Sequence, residues 1–150
     1  MRKRNTIKSR PNFMGRILAI DYGTKRTGLA VTDPLRIIAT ALDTIETAGL
    51  IEFLKKYFLR EGVDEVVIGM PKRLNNQDSE TAPAVRKFVE ILKNTFPEKP
   101  ISLADERFTS SMAQRVMIDG GMKKRDRQVK GNVDKISATI ILQSYMESKR

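Results

Sequence analysis

Residues 16–33 read RILAIDYGTKRTGLAVTD. Arg16 to Tyr22 is a near-continuous apolar run that closes on an acid, Asp21, and is followed by Gly23. Such a run predicts a strand buried on both faces, with a turn after it. Thr27 to Asp33 predicts a second strand beyond the turn GTKR, so the two form a hairpin, and Pro34 ends it. Asp21 is thereby placed where a buried strand opens into a glycine turn.

Outward from this hairpin, Ile37 to Ile45 reads as a third strand. Leu50, Phe53, Leu54, Tyr57 and Phe58 recur at helical spacing up to Gly62. Glu65 to Pro71 (EVVIGMP) is a short apolar strand, and KRLNNQDSE (72–80) a polar loop. Val85, Phe88, Val89, Leu92 and Phe96 mark a second helix closed by Pro97, and Ile101 to Arg107 (ISLADER) a fifth strand. A short helix from about Ser110 turns Ala113, Val116 and Met117 inward and stops at Gly120–Gly121. MKKRDRQVKG (122–131) reads as a basic loop, and a last helix runs from an Asn132 N-cap to about Ser148. Three meandering strands followed by alternating helix and strand predict an α/β domain with a mixed five-stranded sheet flanked by helices, the strand order of the RNase H-like fold.

Composition narrows the chemistry. The 150 residues contain no cysteine and no histidine. Disulfides, Cys/His zinc sites, Ser-His-Asp triads and Cys-His dyads are excluded, and any metal must be held by oxygen, which favours Mg²⁺ or Mn²⁺. The formal net charge of +10 points to a polyphosphate partner, nucleic acid first. No apolar run approaches the about 18–20 residues that span a bilayer. The opening stretch carries Arg2, Lys3, Arg4, Lys8, Arg10 and Arg16 and no acid before Asp21. With the first strand starting near Arg16, residues 1–15 read as a basic extension and 16–150 as the domain. No secretory h-region precedes it, and a cytoplasmic location is expected.

Three acids are candidates for a metal site. Asp21 ends a central strand, the end at which mixed sheets gather ligands. Its plainer role is to stabilise the turn. Asp105 and Glu106 end ISLADER, and because adjacent strand residues face opposite ways only one can share a face with Asp21. Glu106 is preferred and Asp105 is its rival. Asp134 shares a helical stripe with Ala138, Ile141 and Tyr145, although an acid in a first turn also serves the helix dipole. Together, Asp21, Glu106 and Asp134 could bind two metal ions about 3.5–4 Å apart for phosphodiester hydrolysis. Lys25, Arg26, Arg107, Lys123, Lys124, Arg125, Arg127 and Lys130 are candidate phosphate contacts, and Phe13, Tyr22 and Phe108 candidate exposed stacking groups.

AIDYGTKRTGLAVTD (19–33), VIGMP (67–71), the NNQDSE loop, DERFTS (105–110) and VDKISATIILQSYM (133–146) together resemble, in order, the motifs of the YqgF/RuvX family of RNase H-like nucleases. The resemblance implies a cytoplasmic nuclease that trims the 5′ end of precursor 16S ribosomal RNA, or a resolvase of four-way DNA junctions by likeness to RuvC. It implies Asp21, Glu106 and Asp134 as the acidic site, Mg²⁺ or Mn²⁺ as cofactor, and a monomer or homodimer. Three positions depart from the family pattern: Asp78 stands where the loop usually carries glycine, and Lys72 and Arg73 replace apolar or small residues. RuvC carries an acid on its fourth strand, whereas that strand here reads VVIGMP, which moves the second ligand to the fifth. DYGTKRTG also resembles the phosphate-binding hairpin of sugar kinases and actin-like ATPases, but those enclose nucleotide between two such domains. A non-catalytic RNA-binding module is the remaining alternative, since the same charge would serve it.

Overall fold

The computed structural model describes residues 15–70, 81–105 and 130–149. Its strands are β1 (Arg16–Asp21), β2 (Arg26–Thr32), β3 (Ala39–Glu46), β4 (Val63–Met70) and β5 (Ile101–Asp105). Helix α1 (Leu50–Arg60) follows a 3-10 turn at Thr47–Gly49, and α2 (Ala82–Thr95) and α3 (Lys130–Ser148) are the other helices among the described residues. The sheet order is β3-β2-β1-β4-β5. The β1/β2 and β2/β3 pairs are antiparallel, and β1/β4 and β4/β5 are parallel. This is the mixed five-stranded sheet that the order of elements predicts, with α2 filling the crossover that parallel β4 and β5 require.

The two faces of the sheet differ in the size of their side chains. One presents Leu18, Ile20, Leu29, Val31, Val66 and Ile68, and against it pack Leu50, Leu54 and Tyr57 of α1 and Val85, Phe88, Val89 and Leu92 of α2. The other presents Ile17, Ala19, Ala30 and Val67, covered by Ala138, Ile141, Leu142, Tyr145 and Met146 of α3. β1 and β4 lie between both layers, which is why their sequences are apolar without alternation. Small residues beneath α3 let that helix lie close to the sheet.

Three expectations need correction. β3 begins at Ala39 rather than Ile37, because the Asp33 carboxylate accepts the amides of Leu35 (3.2 Å), Ile37 (2.7 Å) and Ile38 (2.7 Å) and closes a loop there. Arg36 within this loop takes the left-handed region, φ 59°. Helix α3 begins at Lys130, so Asn132 lies inside the first turn rather than capping it. Docking of α3 on β2 at Asp134, just past that turn, offsets the poor helix propensity of Gly131. Tyr22 stacks on Phe88 with ring centroids 4.7 Å apart and packs against the α1/α2 core, so it is not an exposed platform for a base. It follows Asp21, and alternation sends it to the opposite face. Phe13, Phe108, the NNQDSE loop, the expected short helix from Ser110 and residues 122–129 of the expected basic loop lie outside the described residues, while Lys130 and Gly131, read as the end of that loop, belong to α3.

The amide of Ile38, followed by those of Ile37 and Leu35, holds the Asp33 carboxyl below its ordinary value against the opposing cost of partial burial. A depressed folded value means that the stabilisation is complete near neutral pH and is lost as the pH falls through the folded group's titration. Asp33→Ala should therefore lower stability to urea at neutral pH, with a deficit that shrinks in acid. A deficit equal at both pH values would assign the loop's order to something other than this carboxylate.

Candidate functional site

Asp21 is the last residue of β1 and shares the parity of Ile17 and Ala19, which face α3. Its cross-strand partner is Gly28 of β2. A Cβ built on Gly28 would collide with the backbone carbonyl of Asp134 and come within 3.0 Å of the Asp134 Cβ. Because α3 begins at Lys130, Asp134 lies just past its first turn rather than in it. There the helix rests directly on β2 beside Asp21, and the absence of a side chain at position 28 brings the two acids to one end of one sheet face. Asp134 heads the buried stripe of Ala138, Ile141 and Tyr145, so the packing of α3 fixes its position.

Arg26 opens β2 two residues before Gly28, on the same face. Its Nε donates to the Asp134 Oδ2 at 3.3 Å. Lys25 is exposed in the preceding turn. This turn is held from three sides. The Thr47 hydroxyl donates to the Gly23 carbonyl at 2.6 Å and lies 2.8 Å from the buried Thr27 hydroxyl. The Thr47 amide donates to the Lys25 carbonyl at 2.9 Å. Gly23 is required because a Cβ there would strike the carbonyl of Arg26. Both cations therefore stand on a braced turn.

Thr47→Val should cost about 1–2 kcal/mol, since it leaves the Gly23 carbonyl and the Thr27 hydroxyl without that partner. Thr47→Ser should recover most of it. Denaturant melts of the three proteins check this, and a valine variant as stable as wild type would remove Thr47 from the account.

β1, β4 and β5 run parallel, so Asp21, Met70 and Asp105 end at the same edge of the sheet. The acids of β4, Asp64 and Glu65, lie at its opposite end, where Arg36 holds both at 3.2 and 3.3 Å. Asp105 closes β5. Glu106, Arg107, Lys123, Lys124, Arg125 and Arg127 lie outside the described residues, and Lys130 is the first residue of α3. Among the described residues no three acids form a group that could hold a metal ion. Gly28, Thr27 and Thr47 were missed from sequence. For Gly28 a signal existed: a lone glycine inside the apolar strand RTGLAVT marks a place where another backbone approaches closely.

This fold, with two acids and a braced basic turn at one sheet end, is the RNase H-like class. It is similar to that of T. thermophilus RuvC in complex with a Holliday junction substrate (TM-score 0.56, 15% identity, 90% of this chain and 95% of that one). A second Thermus thermophilus RuvC structure gives a TM-score of 0.50 at 16% identity, covering 89% and 95% of the two chains. These are likenesses of fold alone. The family described as "RuvX: Holliday junction resolvase" matches residues 15–148, and the chain belongs to that family. A Phocaeicola vulgatus protein named "Putative pre-16S rRNA nuclease" is 55% identical over 137 residues, 91% of this chain and 99% of that one. A Flavobacterium johnsoniae protein of the same name is also 55% identical, with the same coverage. No described helix is long and apolar enough to cross a membrane.

Proposed function

We propose that this protein is a metal-dependent nuclease that hydrolyses phosphodiester bonds at the 5′ end of precursor 16S ribosomal RNA in the cytoplasm. The observation that carries the reading is the seating of Asp134 over Gly28, beside Asp21. Two carboxylates placed together repel unless a cation lies between them. The donor set suits a hard divalent ion: every available ligand is oxygen, since the chain lacks histidine and cysteine. The guanidinium already 3.3 Å from Asp134 marks the position as one that accepts positive charge. Asp21, Asp134 and Glu106, which follows β5 in the sequence, would hold Mg²⁺ or Mn²⁺. Ser102 bonds Tyr145 of α3 and Ala104 packs on the same core, so β5 meets α3 through its even-numbered residues.

When bound, the metal would supply charge neutralisation at the scissile phosphate and a more acidic attacking water. The chain's own part is to fix the acids on two packed elements and to present cations for the backbone. Lys25 and Arg26 on the braced turn, with Arg107, Lys123, Lys124, Arg125, Arg127 and Lys130, would meet phosphates. None of these contacts reads base sequence, so discrimination would rest on the shape of the RNA.

The family description favours one second reading, cleavage of four-way DNA junctions by a symmetric dimer. Purified protein with Mg²⁺, Mn²⁺ or a chelator, offered precursor 16S 5′ ends and four-way junctions, separates them. Metal-dependent cleavage of the RNA is expected. Cleavage of junctions alone would transfer the function to DNA, and binding without cleavage of either would leave a nucleic-acid-binding module.

A further inference from the structure

Two arginines of this chain are held in contrasting ways. Arg36, 25% exposed, donates from Nε to the Gly15 carbonyl at 2.9 Å and reaches Glu65 and Asp64 with its other nitrogens. It is a fixed clasp at the end of the sheet away from Asp21. Arg26 is 40% exposed, and its contact to Asp134 runs through Nε at 3.3 Å. Like the Arg36 ion pairs of 3.2 and 3.3 Å, that contact is longer than the about 2.7–2.9 Å of a tight charge-assisted bond. Among the described residues, however, no carbonyl or second acid backs it as Gly15 and the paired acids back Arg36. Its acceptor is one of the acids placed at the candidate site, and its own backbone belongs to the turn braced by Thr47.

We infer that Arg26 is an exchangeable counter-ion. It neutralises Asp134 in the metal-free protein, yields the carboxylate to a divalent cation, and then turns its guanidinium to a phosphate of the nucleic acid. The inference rests on the metal-site reading above and adds an order of events: Arg26 counts as a phosphate contact only once metal is bound. The geometry favours such a hand-over. Gly28 puts no side chain between Arg26 and Asp134 on this face. A part-buried pair made through one long contact is weak enough to be displaced by a divalent cation, and the pinned turn keeps the arginine's backbone in place when its head group moves.

The test needs no catalysis. Calorimetric titration of Mn²⁺ into the protein without nucleic acid should give tighter binding to Arg26→Gln than to wild type, by about three- to fivefold, the size of a weak ion pair. Arg26→Lys should stay near wild type, and circular dichroism confirms that each variant is folded. Binding of a short fluorescein-labelled single-stranded RNA, measured against KCl at fixed Mn²⁺, should show a salt slope lower by about 1 in Arg26→Gln. In chelator the two slopes should coincide. Unchanged or weaker Mn²⁺ binding in Arg26→Gln, or a slope difference that persists in chelator, would overturn the exchange. Asp21→Asn and Asp134→Asn separate the two levels. If these bind Mn²⁺ as wild type does, the metal site itself is wrong and the exchange goes with it; if they lose it while Arg26→Gln is unaltered, only the exchange fails.

Discussion

Asp21→Asn is expected to lower metal-dependent cleavage by about a hundredfold or more, beyond the ~10–100-fold typical of changes one shell further out. The substitution keeps the shape of the side chain and removes its charge. Stability should change little, because Asp21 stands at a strand end and the Asp134 charge beside it is already offset by Arg26 in the absence of metal. Loss of activity with retained stability is therefore the signature of a metal ligand, and parallel loss of both is that of a turn aspartate. The measurements are cleavage rate against Mn²⁺ concentration and a urea melt without metal. Wild-type activity in the variant would remove the carboxylate mechanism altogether.

Gly28→Val should have the second large effect, this time on both stability and activity. The atoms that meet the new side chain are the backbone carbonyl carbon and oxygen of Asp134, which have no rotamer to change. Either α3 lifts at Asp134 or β2 shifts away from β1. Overpacking of this kind costs about 1–3 kcal/mol. A displacement of Asp134 by about 1 Å would cost roughly a further hundredfold in rate where catalytic geometry depends on it. Gly28→Ala should show the same effects in milder form. Gly49→Ala is the control, because nothing lies within 4 Å of a Cβ there; it should be neutral or slightly stabilising. If Gly28→Val melts like wild type and binds Mn²⁺ normally, the close seating of α3 does not position Asp134.

The sequence was most readable where a single periodicity ruled. β1 and β4 announced themselves as doubly buried strands, and the stripe Val85, Phe88, Val89, Leu92 and Phe96 is buried in the structure. The first element to resist was the start of β3. Ile37 and Ile38 are strand formers by composition, yet three amides bound to Asp33 hold them in a loop with both side chains exposed. Side chain to backbone competition of this sort leaves no hydrophobic pattern. Tyr22 was misread because aromaticity says nothing about which face a residue takes after the last paired position of a strand. Asp21 and Asp134 were legible as positions at element ends. Their adjacency was not, because it depends on a missing side chain, and pattern reading looks for residues that are present. The brace at Thr47 was hidden for a related reason: it joins residues distant in sequence through hydroxyls that are interchangeable with surface threonines on paper.

The unequal faces of the sheet have a consequence for how the chain finds its fold. In the native alignment small residues sit opposite small ones, Ala19 with Ala30 and Asp21 with Gly28, while Leu18 meets Val31 and Ile20 meets Leu29. A slip of one position would send Leu29 and Val31 under α3 and turn Gly28 and Ala30 toward α1 and α2. The large side chains would hold the last helix away from the sheet, and the opposite layer would be left with voids. Only one alignment of the first hairpin can therefore accept both layers, so the closing helix acts as a proofreader of a pairing made near the start of the chain.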